Sequence, residues 1–243
     1  MGKNLIQQAR GTGSPTYRAP SHRFKGRISH ASLASARMEG IVREILHCPG
    51  HSAPLIRIEY DNGEEILAAA PEKVCVGQIV SYAAADDLSP GSVMNLRDIP
   101  EGTAIFNLES NPGDGGKFAR SSGVFAKITA IYPDRIMVLL PSKKERAFNP
   151  ECRAMIGTVA GGGRTELPFI KAGKRYHRMR ARNKLYPQSS GVAMNAVDHP
   201  FGGSRTSKKG RPTTAPKNAP PGRKVGMLHA RRTGRKRGEI KLN

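Results

Sequence analysis

The stretch GVAMNAVDHPFGGSR (residues 191–205) sets an Asp beside a His, then a Pro and two glycines. Those residue types could do acid–base chemistry: a carboxylate orients an imidazole, the imidazole moves a proton, and glycines leave room for a substrate. The spacing argues against it. A general base needs its orienting partner within hydrogen-bond reach and its substrate in a pocket. Adjacent side chains in an extended loop point apart, so Asp198 and His199 make an awkward pair in the sense of a catalytic triad. No Ser or Cys is marked by its surroundings as a nucleophile. His47, His51, His177 and His199 lack the HExxH spacing of a metal site. Pro200, Gly202 and Gly203 instead specify a turn, with His199 able to donate to a phosphate or a base edge. The expectation is a loop that holds something, and no enzyme.

Two other glycine-rich stretches invite the same question. PGDGGKFARSSG (112–123) is not GxxxxGK[ST], and no strand-to-helix context surrounds it. It reads as a polar loop joining two barrels, with Lys117 and Arg120 facing RNA phosphates and glycines letting backbone amides approach closely. VAGGGRTELPFIKAGK (159–174) has no acidic residue about 20 positions on, as a dinucleotide site would require. It reads as a close backbone approach to RNA, with Arg164, Lys171 and Lys174 on phosphates; a hinge that binds nothing is the alternative. Aromatic and basic residues also interleave. Tyr17 precedes Arg18, Phe24 lies between Arg23 and Lys25, and Tyr176 between Arg175 and His177. Such rings either stack on unpaired bases or pack on the protein's own barrel.

The charge that surrounds these loops names the partner class. The chain has 243 residues and a formal net charge of +21. Residues 1–30 hold six Lys/Arg and no acid, residues 31–160 hold 13 against 16, and residues 161–243 hold 21 against three. A near-neutral middle therefore carries two cationic ends, which an ordinary solvated basic surface would not produce. An excess of this size points to a polyanion, because each neutralised phosphate releases counterions. Cys48, Cys75 and Cys152 are too far apart in sequence for a CxxC pair, which disfavours a disulfide framework or a zinc site. The opening MGKNLIQQARGTG has no apolar core of a secretory signal. Apolar runs such as IMVLL (136–140) fall far short of the ~20 residues a membrane span needs. No membrane and no small-molecule substrate are expected.

The elements that must position the loops follow from apolar pattern and turn signals. Residues 1–38 show no helical or strand period and on their own cannot bury enough apolar surface to fold. Short Ile/Leu/Val-rich runs then follow at 40–47, 54–60, 64–70, 76–83, 91–99 and 103–110, with DNG (61–63) as a turn. They predict a small β-barrel; one of the five-strand oligonucleotide-binding type fits in about 70 residues. A second strand set at 124–132, 135–141, 144–149 and 153–160 predicts a smaller barrel. KAGKRYHRMRARNKLYP (171–187) is a short helix only if its like charges are neutralised. Residues 202–238 have almost no apolar content.

With these stretches in place, the chain resembles a known family. GVAMNAVDHPFGG (191–203) closely resembles the most characteristic stretch of large-subunit ribosomal protein L-two. APSHRFKG (19–26), EGTAIFNLESNPGDGGKFARSSG (101–123), CRAMIGTVAGGGRTELPFIKAGKRYH (152–177) and NAPPGRKVGMLHARRTGR (218–235) resemble it too, in the right order and over essentially the whole chain. VAGGGR and HPFGG are closer to the archaeal and eukaryotic branch, and the short length favours archaeal.

The resemblance implies a mainly β fold. An oligonucleotide-binding-type barrel (39–112) precedes a Src-homology-three-like barrel (113–172), between a basic N-terminal extension (1–38) and a basic RNA-threading C-terminal extension (173–243). It implies a cytoplasmic, structural constituent of the large ribosomal subunit in translation. Such a protein binds large-subunit rRNA directly and supports subunit association and the architecture around the peptidyl transferase centre. The partners implied are that rRNA, other large-subunit proteins and the small subunit at the intersubunit face. No cofactor or protein-held metal is expected, only Mg²⁺ bound by the rRNA nearby. The family's noted histidine falls on His199 and its acidic neighbour on Asp198. One departure is Ser190, where the family usually has Arg; Arg180, Arg182 and Lys184 are near enough to substitute.

The expected RNA contacts are Arg10, Arg18, His22, Arg23, Lys25, Lys117, Arg120, Arg164, Lys171, Lys174, Arg175, His177, Arg180, Asn195, Asp198, His199, Gly202, Gly203, Arg205, Arg223, Lys224, Arg231 and Arg232. Two rival readings make different demands. A mobile RNA chaperone or translation factor would exchange and wash off in salt. An enzyme acting through His199 would work without RNA.

Overall fold

A computed structural model describes residues 6–32, 37–84, 87–203, 213–228 and 230. The chain is mainly β and divides into two compact units: residues 20–182, and residues 1–19 together with 183–243.

The larger unit carries ten strands: β1 (Met38–Leu46), β2 (Leu55–Tyr60), β3 (Glu65–Ala69), β4 (Ile79–Tyr82), β5 (Val93–Asn95), β6 (Ala104–Phe106), β7 (Ala126–Ile131), β8 (Ile136–Leu139), β9 (Glu145–Phe148) and β10 (Arg153–Ile156). All ten fall inside the runs expected from sequence, extended at the start of β1. Alternation does the local work. LIRIEY in β2 buries Leu55, Ile56, Ile58 and Tyr60 and leaves Arg57 outside. DNG closes the β2–β3 hairpin, with Gly63 at φ +80, a conformation that favours glycine.

The sheet order is β3-β2-β1-β4-β5-β10-β6-β7-β8-β9. A bulge between Val42 and Glu44 bends β1, so its first half pairs with β4 while its whole length pairs with β2. Gly40 sits in that first half, where an added Cβ would meet Ile58 and Tyr60 at 2.7 and 2.8 Å. β10, late in the chain, inserts between β5 and β6.

Two hydrophobic cores result, as the barrel-type reading requires. The first gathers Val42, Leu55, Ile56, Ile58, Val80 and Tyr82 with Phe106 and Met155. The second gathers Met94, Leu96, Ile105, Leu108, Ile128, Ile136, Val138, Phe148 and Ile156. Residues on both sides of the glycine-rich stretch 111–123 feed the second core.

One part of the N-terminal extension behaves differently from the sequence expectation. Ile28 and Ala31 are 1% exposed and belong to the first core. Ser29 N–H donates to the carbonyl of Leu67 at 3.0 Å, stapling this strap onto β3. Two apolar residues among basic neighbours show no period, so local pattern could not reveal them.

From Gly162 the larger unit turns irregular, then forms helix α2 (Ala172–Ala181), which buries none of its residues. α2 is helical without any acidic residue to offset its cations. In the smaller unit a short helix, α1, spans Ile6–Thr12, and a parallel bridge joins Thr214–Ala215 to Met227–Leu228. Among the described residues no helix is long and apolar enough to cross a membrane.

Candidate nucleic-acid interface

In the smaller unit, the 191–203 loop is a braced turn. The carbonyl of Asn195 accepts N–H groups from Asp198 at 3.0 Å and His199 at 3.2 Å. The carbonyl of His199 accepts from Gly202 at 2.8 Å, and Gly203 N–H donates to the carbonyl of Met194 at 3.1 Å. Two glycines are tightly packed here, Gly202 against backbone and Gly191 against a side chain. A Cβ on Gly202 would lie 2.0 Å from the Asn195 carbonyl oxygen, and one on Gly191 would lie 2.3 Å from the His199 ring. Phe201 stands beside the imidazole, ring centroids 5.2 Å apart.

The imidazole's hydrogen bonding decides what His199 can do. Phe201 N–H donates to His199 Nδ1 at 3.0 Å. A backbone N–H can only donate, so Nδ1 is the acceptor and the proton of the neutral ring sits on Nε2. A triad base has the opposite arrangement, with Nδ1–H held by a carboxylate and Nε2 taking the proton. His199 therefore presents a donor. That suits a phosphate, carbonyl or base edge and does not suit a general base. Asp198 is exposed.

The PGDGG loop spends its backbone amides within the protein. Glu109, fully buried, accepts N–H groups from Gly113 at 3.2 Å and Gly115 at 3.1 Å. Asp114 accepts from Gly116 at 3.1 Å. The amides that would have met a phosphate are turned onto the protein's own carboxylates. Lys117 pairs with Asp114 at 3.0 Å. Arg120 donates from Nη1 to the Gly116 carbonyl at 2.7 Å and from Nη2 to that of Ile28 at 3.5 Å, a strut between loop and strap.

That carboxylate belongs to a buried polar cluster absent from the sequence reading. Arg153 is 4% exposed; its Nε and Nη2 donate to Glu109 Oε1 at 3.1 and 2.7 Å, and its own N–H to Oε2 at 2.9 Å. Arg153 Nη1 donates to the Ala31 carbonyl at 2.8 Å and to the Tyr82 hydroxyl at 2.5 Å. His30 Nε2–H donates to the Asn107 carbonyl at 2.7 Å. Burial, and then the Arg153 charge, push His30 from 6.5 down to about 4. Burial alone would raise Glu109, but the Arg153 hydrogen bonds and charge hold it below its ordinary value. The sequence signal was faint: Arg opens RAMI and Glu ends FNLE, both at strand edges where charge is ordinary.

The remaining expected contacts divide by exposure. In the larger unit His22, Arg23, Lys25, Lys171, Lys174, Arg175, His177 and Arg180 are exposed. Phe24, between two of them, packs on the first core and crosses Gly50, whose Cβ would meet its ring at 2.9 Å. Arg164 is half-buried, its Nε donating to Ser122 Oγ at 2.6 Å. Tyr176 lies edge-on to His177, and its hydroxyl accepts from Arg180 at 3.4 Å. In the smaller unit Arg10, Arg18, Asn195, Arg223 and Lys224 are exposed. Arg205, Arg231 and Arg232 lie outside the described residues. Basic residues missed by the sequence reading line a hollow with Arg164: His47, His51 and Arg178, whose guanidinium lies 5.1 Å from the Phe169 ring. Among the described residues no group of three or more His, Cys, Asp or Glu could hold a metal.

Comparison with known proteins fits these features. Residues 89–222 match the family model described as Ribosomal Proteins L2, C-terminal domain. The chain is 50% identical over 241 residues to the "Large ribosomal subunit protein uL2" of Methanothermobacter thermautotrophicus, covering 98% of this chain and all of the relative. It is likewise 50% identical to the protein of that name from Methanosphaera stadtmanae, with the same coverage. With that from Methanopyrus kandleri it is 49% identical, over 97% of this chain and 98% of the relative.

Proposed function

This chain belongs to the ribosomal protein L2 family, and from that premise we propose that it binds large-subunit rRNA directly as a structural constituent of the large ribosomal subunit. The observation that carries the reading is where cations are spent. Arg153 and Arg120 are consumed inside the larger unit, whereas the basic residues of α2 lie mostly exposed. Exposed Lys and Arg set position and affinity through phosphates. The Asn195, Asp198, His199, Gly202 and Gly203 turn adds shape and one aimed imidazole donor. Tyr176 is 40% exposed and open to base stacking.

On this reading the protein is not an enzyme. His199 supports RNA architecture near the peptidyl transferase centre and contributes to subunit association. Its partners are rRNA, neighbouring large-subunit proteins and the small subunit, and Mg²⁺ nearby is held by RNA. High-salt density-gradient sedimentation of native lysate tests it. The chain is expected at one copy per large subunit. A chain found mainly in the salt-washed top fractions would favour the chaperone or factor reading. Activity of purified protein without RNA, abolished by His199→Ala, would favour the enzyme.

A further inference from the structure

A cavity of about 380 Å³ lies within the larger unit between the β1–β2 connection and α2, lined by His47, His51, Arg164, His177, Arg178 and Arg182 among others. Three arginines and three histidines meet there, and among the described residues no carboxylate lines it. Arg164 is anchored through Nε to Ser122 Oγ, yet its Nη1 is buried with no hydrogen-bond partner among the described residues. A buried guanidinium N–H without an acceptor is costly, so this atom calls for an anion. Arg178, in the last turn of α2, and Arg182, its C-cap, both line the cavity, where like charges repel unless something negative lies between them. His51 Nδ1 is engaged with Cys48 Sγ at 3.1 Å, leaving Nε2 as its remaining polar atom. Burial and the Arg120 charge hold His51 below its ordinary value, which limits the repulsion it adds beside the arginines.

We propose that this cavity is a socket for a phosphodiester group of RNA, gripped by Arg164, Arg178 and Arg182 and completed by His51 and His177. The proposal rests on the rRNA-binding reading and deepens it. Arg guanidinium groups match phosphate oxygens in geometry as well as charge. The cavity has the size of a small-ligand site, which accommodates sugar as well as phosphate. A free phosphate ion shares the chemistry, so the test separates the two sources.

The full chain is compared with Arg178→Gln/Arg182→Gln and with Arg164→Gln. Lys143→Gln/Lys144→Gln, on the β8–β9 turn, serves as the charge-matched control. Arg178 lies in the last turn of a helix that buries none of its residues, and Arg182 is the exposed C-cap of that helix, so their loss leaves folding intact even where Arg164→Gln perturbs it. Two readouts are taken: affinity for purified large-subunit rRNA across a salt series, and histidine ring NMR signals during titration with inorganic phosphate at fixed ionic strength. The helix pair is expected to lose on the order of tenfold in affinity, and its log–log salt slope to fall by about two. The lysine control loses less than about threefold. Inorganic phosphate shifts the His51 and His177 signals in the parent chain and not in the helix pair. If rRNA binds the parent chain and the arginine variants match the lysine control, the socket is wrong and the rRNA reading stands. If phosphate shifts the histidines but the parent chain does not bind rRNA, the rRNA reading fails, and with it the assignment of the socket to RNA.

Discussion

Arg153 in the larger unit and His199 in the smaller one are both polar groups held by backbone, and they are held for opposite ends. Around Arg153 every partner is protein: Glu109, Tyr82 and the Ala31 carbonyl use its donors, and burial seals the arrangement. Around His199 the described residues use one ring nitrogen, Nδ1, and Gly191 leaves the space that the ring fills. What separates a structural cation from a ligand-binding group is thus not residue type. It is whether the fold spends the donors or props them up. Residue by residue, this distinction sorts the described Lys and Arg, which composition alone cannot rank.

The comparison breaks most visibly at Arg153. Replacing it by Met leaves Glu109 buried without its cation, which costs ~3–5 kcal/mol when one member of a buried pair is lost. Urea unfolding is expected to show that loss. Glu109→Gln should cost a comparable amount, because the amide keeps one acceptor oxygen where the carboxylate offers two, Gly113 and Gly115 donate to different ones, and Arg153 loses its counter-charge. A loss under about 1 kcal/mol for Arg153→Met would mean the cluster is not a clamp, since exposed pairs lie in that range.

Next in size is a pH effect. His30 in the folded chain protonates only near pH 4, against 6.5 for the free group. Between those values the unfolded state holds the extra proton, so its contribution is complete above pH 6.5 and is lost as pH falls toward 4. Glu109, held below 4.5, adds a loss at lower pH, as the medium falls through its folded value. Stability followed by urea midpoint should fall by roughly 2–3 kcal/mol over the His30 window. His30→Gln should flatten that window and leave the more acidic one. A His30→Gln profile superimposable on the parent would show that another group carries the pH dependence.

Much of this frame was legible before any coordinates. Ten apolar runs gave ten strands because each alternates or is bounded by a turn signal, as DNG bounds β2 and β3. The insertion of β10 between β5 and β6 was not legible, since pairing across some 50 residues leaves no local mark. Nor was Ile28, one apolar side chain in a basic strap. The 191–203 loop showed its shape through Pro and Gly, yet the tautomer of His199 depends on one backbone N–H aimed at one ring atom. In the PGDGG loop, glycine reports that the backbone must bend and not which acceptor it bends toward, here Glu109, four and six residues upstream of Gly113 and Gly115.

The smaller unit answers to a different readout. Gly202→Ala forces a Cβ against the Asn195 carbonyl, a backbone atom with nowhere to swing, whereas Gly191→Ala presses on a side-chain ring that can rotate away. Both should weaken rRNA binding, by ~1–2 kcal/mol, with Gly202→Ala the stronger. Neither should move the urea midpoint of the larger unit, which does not contain them. A shared drop in midpoint would erase the division between a region that holds itself and one that holds RNA.

The smallest effect sharpens the other side. Arg43 Nε lies 2.7 Å from Glu59 Oε2, as close as Arg153 Nη2 lies to Glu109, but its side chain is 53% exposed where that of Arg153 is 5%. Water competes for the exposed pair and salt screens it, so Arg43→Ala should cost only ~0.2–1 kcal/mol. Raising salt should shrink even that, while the cost of Arg153→Met stays nearly constant, because ions do not reach a buried pair. Unfolding both variants at low and high salt compares a buried pair with an exposed one at the same separation. If Arg43→Ala cost as much as Arg153→Met, distance rather than burial would set the strength of these pairs.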